Sequence, residues 1–297
     1  MVRLTKTRMS SPATTESLAS VSDGQRSALL TLLLDEDGTV YQTVRAKILS
    51  YGDAAVEWLR PQTLSNDSVL RRRSLEIIRY LSRQQADTEF LGFCLSQGED
   101  LDLEEGSLLL AKTEFPGINV AGYQALLDSY AGKLRDEIEV GSGVESILAT
   151  INHLLFTELG FAGNGQDYYD PENSYLNRVI DRRMGNPISL CLIYLFVTRR
   201  LRLPVAGIGM PGHFLVRFQS SVKEIFIDPF NRGKLLTKAD CIKYLIHTSG
   251  FQESYLAPVS PRRILLRTCS NLHQIYSHLA LTEEIARLQR YIIALAK

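Results

Sequence analysis

Long apolar runs are absent from this sequence of 297 residues. No segment approaches the roughly 18 consecutive apolar residues that a membrane-spanning helix needs, so we expect no membrane partner. The first 22 residues are rich in Ser and Thr and lack the apolar stretch of a signal peptide. Both absences predict a cytoplasmic protein.

An excess of charge of either sign is also absent. Lys and Arg total 33, Asp and Glu total 33, and the formal net charge is +0 at pH 7. Nucleic-acid-binding domains usually carry a basic excess, whereas this chain offers no bulk positive field. We therefore expect no nucleic-acid partner.

Cysteine is scarce, and its spacing shows no pairing. The four cysteines, Cys94, Cys191, Cys241 and Cys269, lie far apart and form no CxxC motif. This spacing indicates neither a disulfide framework nor a cysteine zinc site. HExxH, GxGxxG and phosphate-loop motifs are missing as well, so we expect neither a metal nor another cofactor.

Helical periodicity dominates the first half of the chain. Residues 1–22 are predicted to be a disordered tail, and residues 23–160 an all-helical region. Apolar spacing within this region predicts helices near residues 39–50, 52–60, 67–83, 86–97, 102–113, 118–137 and 143–159.

The pattern changes after the Gly- and Asp-rich segment 160–171, which is the predicted domain boundary. We predict an α+β core over residues 161–250 and a helical hairpin over residues 251–297. Helices are expected near residues 173–183, 238–247, 262–280 and 282–296.

A further helix is predicted to be the buried centre of the core. Asn186 can cap its N-terminus, and Pro187 can take the first helical position, where a missing N–H costs nothing. Residues 188–197 are apolar on nearly all sides of this helix. It should therefore be buried rather than lie on the surface.

Two strands follow that helix. The segments His213–Gln219 and Glu224–Asp228 show the alternation that is typical of half-buried strands. Residues 220–223 would form a hairpin loop, which pairs residue 219 with residue 224. In that register His213 and Asp228 are diagonal neighbours on one face, roughly 7 Å apart at the backbone. We therefore predict a His–Asp pair.

A helix start, a His and an Asp, in this order, are typical of papain-type and transglutaminase-type thiol sites. The chain resembles the transglutaminase-like superfamily, and within it the bacterial SirB-type branch. This resemblance implies a papain-type core between a helical N-terminal region and tetratricopeptide-like C-terminal helices. It rests on Tyr169-Asp170-Pro171, Arg182-Arg183, Gly185-Asn186-Pro187-Ile188-Ser189, Pro211-Gly212-His213-Phe214-Leu215 and Asp228-Pro229-Phe230-Asn231.

The resemblance also implies where a nucleophile should lie. Catalytic members carry a Cys at the helix start, with an Arg twelve residues and a Pro seventeen residues further on. Arg199 and Pro204 hold these spacings from Pro187. Pro187 thus occupies the nucleophile position and has no nucleophilic atom, whereas His213 and Asp228 match the other two triad positions.

Two nearby residues are alternative nucleophiles. Ser189 lies in the first helical turn, and Cys191 lies one turn from Pro187 on about the same face. A Ser in the first turn is more often a capping residue, and a Cys in an apolar run usually has a raised pKa. The alternative hypothesis is a cysteine or serine hydrolase or acyltransferase that uses Cys191 or Ser189 with His213 and Asp228.

The leading interpretation is a non-catalytic transglutaminase-like protein. It would bind an unidentified protein or peptide partner. The residues expected to contribute to binding are Arg183, Asn186, Pro187 and Asn231.

Overall fold

The computed structural model describes residues 21–297. The chain divides into two compact units, of which one ends at Ser82 and the other begins at Arg83. Most of the predicted disordered tail lies outside the described residues. Of that tail, Val21 is buried and Ser22 caps the first helix.

The first unit is built from helices that pack around an apolar core. Asp37 starts the second of these helices by accepting a hydrogen bond from the N–H of Thr39 at 2.7 Å. The helices predicted near residues 39–50 and 52–60 are confirmed. The bounds are α1 Asp23–Leu32, α2 Gly38–Leu49, α3 Asp53–Leu59 and α4 Ser68–Ser96, of which α4 continues past the unit boundary.

One prediction in this region is wrong. The segments 67–83 and 86–97 were expected to be separate helices, whereas α4 is one helix of 29 residues. The sequence at their junction, Arg83-Gln84-Gln85-Ala86, contains no Pro or Gly and consists of good helix formers. Nothing in it interrupts the backbone hydrogen bonds.

The second unit contains the remaining helices. The expected helices near residues 102–113, 118–137, 143–159, 238–247, 262–280 and 282–296 are all present. The one near 143–159 is an α-helix as far as Asn152 and continues as a π-helix, His153–Glu158. Within residues 21–297, no helix is both long and apolar enough to cross a bilayer. The bounds are α5 Leu103–Glu114, α6 Val120–Glu137, α7 Val144–Asn152, α8 Leu176–Arg182, α9 Pro187–Arg200, α10 Lys238–Thr248, α11 Pro261–His278 and α12 Thr282–Leu295.

Strands of the second unit form two small sheets. A two-residue parallel pair joins β1 (Ala162–Gly163) to β2 (Met184–Gly185). The larger sheet is antiparallel, in the order β3-β4-β5-β6. Its strands are β3 Val205–Ile208, β4 Leu215–Gln219, β5 Glu224–Asp228 and β6 Lys234–Leu236.

The predicted register of the central hairpin is confirmed. Gln219 lies opposite Glu224, and Val216 lies opposite Ile227. The strand predicted to begin at His213 begins two residues later. Gly212 has a φ of 72°, and the N–H of His213 bonds the carbonyl of Met210, so the chain is still turning there. Strands β3 and β6 were not predicted, because runs of four and three residues carry almost no alternation.

Helix α9 is the centre of the second unit. Eleven of its fourteen residues are buried, so it has no solvent-facing stripe. It packs on β3 and β4 on one side and on α6 and α8 on others. The predicted α+β class, with a buried helix on a small antiparallel sheet and a C-terminal helical hairpin, is confirmed.

The apolar core around α9 runs from Phe90 to Leu295, past the boundaries predicted at residues 160 and 250. Compactness alone does not show which segments fold independently. The four-part division of the chain therefore stays a prediction.

A buried carboxylate joins the end of α9 to the start of α5. Both oxygens of Glu104, whose side chain is 2% exposed, bond the guanidinium of Arg200 at 2.6 and 2.9 Å. Arg199 bonds the same carboxylate at 2.9 Å. Asp102 caps α5 by accepting from the N–H groups of Glu104 and Glu105. Asp102 thus caps a helix N-terminus, and Glu104 belongs to an ion-pair network.

Candidate functional site

The start of α9 is closed by a reciprocal pair of hydrogen bonds. The side-chain oxygen of Asn186 accepts from the N–H of Ser189 at 2.9 Å, and the Oγ of Ser189 accepts from the N–H of Asn186 at 3.0 Å. Pro187 occupies the first helical position. The hydroxyl of Ser189 donates its single proton to the carbonyl of Asn173 at 2.6 Å. Ser189 is fully buried and is held as a capping residue.

Gly185 allows this cap to form. A Cβ added there would lie 2.5 Å from the Oγ of Ser189 and 2.9 Å from a methyl group of Val179. Both distances are too short for real atoms. The backbone of β2 can therefore approach α9 this closely only because residue 185 has no side chain.

His213 and Asp228 form the pair that strand alternation predicted. The Nε2 of His213 lies 2.8 Å from an oxygen of Asp228, whose side chain is 6% exposed. Asn231 donates its backbone N–H and its side-chain N–H to the same carboxylate at 3.2 and 2.8 Å. Burial alone would raise the pKa of Asp228, but these contacts outweigh burial and hold the pKa below its usual value.

Cys191 is buried in the same region. Its thiol lies 3.5 Å from the carbonyl of Phe214, a distance at which S–H donates a weak hydrogen bond. Burial raises the pKa of this thiol well above the usual value, and the negative charge of Asp228 raises it further. At neutral pH the group is a thiol and not a nucleophilic thiolate.

A pocket of about 260 Å³ opens at the start of α9. It brings together three segments that are distant in sequence: the first turn of α9, the turn before β4, and one face of α11. Pro187 and His213 both line it. The complete lining is Tyr168, Asn186, Pro187, Ile188, Gly212, His213, Arg267, Ser270, Asn271 and Gln274.

The contribution of α11 was not predicted. Arg267, Ser270, Asn271 and Gln274 are spaced i, i+3, i+4 and i+7, so they share one face of this helix. This polar face of an amphipathic helix was the available signal. The sequence alone does not say which cleft such a stripe faces.

Arg267 is the one full cation of the lining. One of its terminal nitrogens, Nη2, donates to the carbonyls of Met210 and His213 at 2.5 and 2.8 Å. Its guanidinium lies over the ring of Phe214, 5.4 Å from the centroid. Burial lowers the pKa of Arg267. Among residues 21–297, no carboxylate lies within ion-pair distance of this side chain.

The predicted binding residues lie in different environments. Asn186 and Pro187 line the pocket, whereas Asn231 supports Asp228 from behind. Arg183 donates to the hydroxyl of Tyr130 at 2.6 Å and does not line the pocket. In the described part of the chain, no group of three or more His, Cys, Asp or Glu side chains is arranged to hold a metal ion.

The fold and this site define a class: an α+β core in which a helix start meets a hydrogen-bonded His–Asp pair on an antiparallel sheet. The sequence model of the transglutaminase-like superfamily matches residues 121–270, which is half of the chain. The chain belongs to the transglutaminase-like superfamily.

Curated relatives occur in bacteria and in animals. A UPF0162 protein of Xylella fastidiosa is 38% identical over 204 residues, which cover 66% of this chain and 73% of that protein. A UPF0162 protein of Pseudomonas aeruginosa is 30% identical over 204 residues, covering 66% and 72%. F-box only protein 21 of Mus musculus is 38% identical over 144 residues, which cover 46% of this chain but 22% of that protein. No solved structure matches the chain.

Proposed function

We propose that this chain is a non-catalytic transglutaminase-like protein whose pocket at the start of α9 binds a segment of a protein or peptide. The observation that carries the proposal is that Pro187 lines this pocket together with His213. Proline offers no nucleophilic atom. It also lacks the backbone N–H that a helix start would otherwise direct at an oxyanion.

The neighbouring candidates support the same conclusion. Ser189 is fully buried, and its proton is committed to the carbonyl of Asn173. Cys191 is fully buried, with a raised pKa. In this proposal the bond between His213 and Asp228 serves to tie the turn before β4 to the end of β5.

The alternative function is a cysteine or serine hydrolase or acyltransferase. The observation in its favour is the 2.8 Å contact between His213 and Asp228, because a catalytic base needs such an orienting carboxylate. Nε2 of His213 is engaged by Asp228, so the other ring nitrogen, Nδ1, would take the proton of a nucleophile. Cys191 or Ser189 would supply that nucleophile.

Chemical labelling separates the two functions. The folded protein is treated with iodoacetamide at about pH 7, and a second sample with a fluorophosphonate; modified peptides are then identified by mass spectrometry. We expect Cys191 to react only after unfolding in urea, and Ser189 to stay unmodified. Rapid alkylation of folded Cys191 that is lost in His213→Ala would refute the non-catalytic function, as would a fluorophosphonate adduct on Ser189.

Three finer assignments belong to the same proposal. We infer membership of the SirB-type branch, supported by the motif block that extends from Arg182 to Asn231. A tetratricopeptide-like hairpin is supported by α11 and α12, which pack together and are joined by only three residues, 279–281. A cytoplasmic location is supported by the four cysteines, all of them free thiols.

A further inference from the structure

We propose that the pocket at the start of α9 takes a carboxylate group of a protein partner, which pairs with Arg267. The carboxylate is either a C-terminus or an acidic side chain. This inference rests on the binding function proposed above and specifies the chemistry of what is bound.

The first argument is the uncompensated charge of Arg267. No Asp or Glu belongs to the pocket lining, and Arg267 has no ion-pair partner among the described residues. A partly buried cation without a counter-ion is costly, and a bound carboxylate would remove that cost. Comparable arginines are paired: Arg200 with Glu104, and Arg287 with Glu114 at 2.7 Å.

The second argument is the set of donors that Arg267 leaves free. Arg262, on the same helix, also lacks a carboxylate, but its Nε, Nη1 and Nη2 together bond four backbone carbonyls. Arg267 bonds carbonyls only through Nη2. Its Nε and Nη1 have no hydrogen-bond partner in the part of the chain that the structure describes. A guanidinium with free N–H groups is suited to a carboxylate, which accepts two of them at once.

The third argument is a backbone donor on a second helix of the pocket lining. Ile188 is the second residue of α9 and lines the pocket. The N–H of Ser189 is taken by the side chain of Asn186, and that of Leu190 by the Asn186 carbonyl. Within residues 21–297, the N–H of Ile188 has no acceptor. This free donor at the positive end of a helix belongs to the same pocket lining as Arg267 and is available to an anion bound there.

Size and charge favour a carboxylate over a phosphate or a large ligand. Sites for drug-sized molecules and cofactors usually measure about 300–1,000 Å³, whereas this pocket measures about 260 Å³. A phosphate group carries about −1.5 to −2 charges and is usually recognised by a cluster of arginines. One arginine balances one carboxylate. The neutral side chains of Asn271 and Gln274 can bond the adjoining peptide groups.

The test uses defined peptides and the whole chain. Backbone amide signals of the ¹⁵N-labelled protein are followed by NMR during titration with four probes. They are N-acetyl-trialanine with a free carboxyl end, the same peptide amidated, amidated N-acetyl-Ala-Glu-Ala, and inorganic phosphate. We expect at least one carboxylate peptide to shift the signals of Ile188 and His213 and to bind roughly tenfold more tightly than amidated trialanine. Comparing the two carboxylate peptides distinguishes a C-terminus from an acidic side chain.

Charge variants at the exposed residue Gln274 sharpen the test without disturbing buried contacts. Gln274→Glu should weaken carboxylate binding roughly tenfold at low salt, and Gln274→Lys should strengthen it, with both effects shrinking as salt is added. Ser277→Glu, on the same helix but outside the pocket, is the matched control and should change little. Arg267→Gln should abolish the preference for a carboxylate. If that variant does not fold, the opposite effects of Gln274→Glu and Gln274→Lys on carboxylate binding provide the test.

Three outcomes would overturn the inference: equal binding of the amidated and free-carboxyl peptides with no Glu preference, tighter binding of phosphate than of either carboxylate, or no shift at Ile188 with either carboxylate at about 10 mM. Equal binding of all peptides in the pocket would refute carboxylate recognition but would remain consistent with the proposed binding function. Rapid His213-dependent alkylation of Cys191 would instead refute the non-catalytic function, whichever peptide binds.

Discussion

Replacing Asp228 with Asn tests whether the His–Asp pair holds the fold together. The substitution keeps the size and shape of the side chain but removes its charge and one acceptor oxygen. Asp228 accepts three hydrogen bonds, one from His213 and two from Asn231. The amide of Asn has one oxygen, so in either orientation at least one of the three donors loses its acceptor, and the bonds that remain end on a neutral group.

The expected loss follows from the bond that is broken and from the charge that the remaining bonds lose. A hydrogen bond to a charged group contributes about 1.5–3 kcal/mol, and a buried donor left without its partner costs more than an exposed one. The His213 side chain is 14% exposed, so water can replace part of its lost contact. We therefore expect Asp228→Asn to lower the free energy of unfolding by about 2–4 kcal/mol at pH 7.

The effect should depend on pH in a definite direction. The pKa of Asp228 is lowered in the folded protein from a model-peptide value of 3.8. Stabilisation by its charge is therefore fully present above about pH 4 and is lost as the pH falls through the lowered pKa. The difference between wild type and Asp228→Asn should be large at pH 7 and should shrink steadily below about pH 4.

Urea denaturation followed by far-ultraviolet circular dichroism measures this difference. The exposed Asp136→Asn is the matched control and should change the free energy of unfolding by less than about 0.5 kcal/mol. A loss for Asp228→Asn as small as that of the control, or one that is the same at pH 3 as at pH 7, would refute the reasoning.

Further substitutions test the packing around α9. Glu104→Gln should destabilise the protein by about 3 kcal/mol in urea denaturation, because it removes the buried charge that pairs with Arg199 and Arg200 and leaves Arg200 only the exposed Asp128; no measurable change would contradict this. Gly185→Ala should cost at least about 2 kcal/mol, because its Cβ would collide with the Oγ of Ser189. Gly92→Ala, in a helix and with nothing within 4 Å of the added Cβ, should instead be neutral or stabilise by up to about 1 kcal/mol. Equal effects of the two Gly substitutions would show that the close approach at Gly185 is not a constraint.

Much of the secondary structure follows from local sequence. The cap formed by Asn186 and the first-turn Pro187 placed the start of α9 correctly. Alternation and a four-residue loop were enough to set the register between Gln219 and Glu224, and with it the pairing of His213 and Asp228. Alternation has a period of two, so a shift of one residue would have moved an apolar set to the wrong face.

Local patterns were insufficient where an element is short or where nothing interrupts it. Strands β3 and β6 have four and three residues, too few to show a period. Helix α4 was divided in two because its apolar pattern weakens near residue 84, although no residue there breaks a helix. The short strands depend on partner strands elsewhere in the sheet, whereas the continuity of α4 follows from its local helix formers.

The candidate site was foreseen only in part. His213 and Pro187 share the pocket, as the order of motifs along the chain suggested. The face of α11 that completes the pocket lies more than fifty residues after His213. Arg267 was not predicted as a site residue, because a single basic residue in an amphipathic helix is not distinctive. Arg267 stands out because no carboxylate of the described residues lies near it. The periodicity of a sequence carries no information on such contacts.

From the sequence alone, the helix starts and the hairpin register are determined, because each depends on residues a few positions apart. The assignment of Pro187 to the nucleophile position stays a prediction from the resemblance. The tertiary structure decided the rest. It buried Ser189, whose hydroxyl donates to the carbonyl of Asn173, and it buried Cys191, which raises the pKa of that thiol. It also placed Arg267 in the same pocket as the first turn of α9, with no carboxylate of residues 21–297 at ion-pair distance. Burial and ion pairing depend on how distant surfaces pack, and no local pattern of residues specifies that.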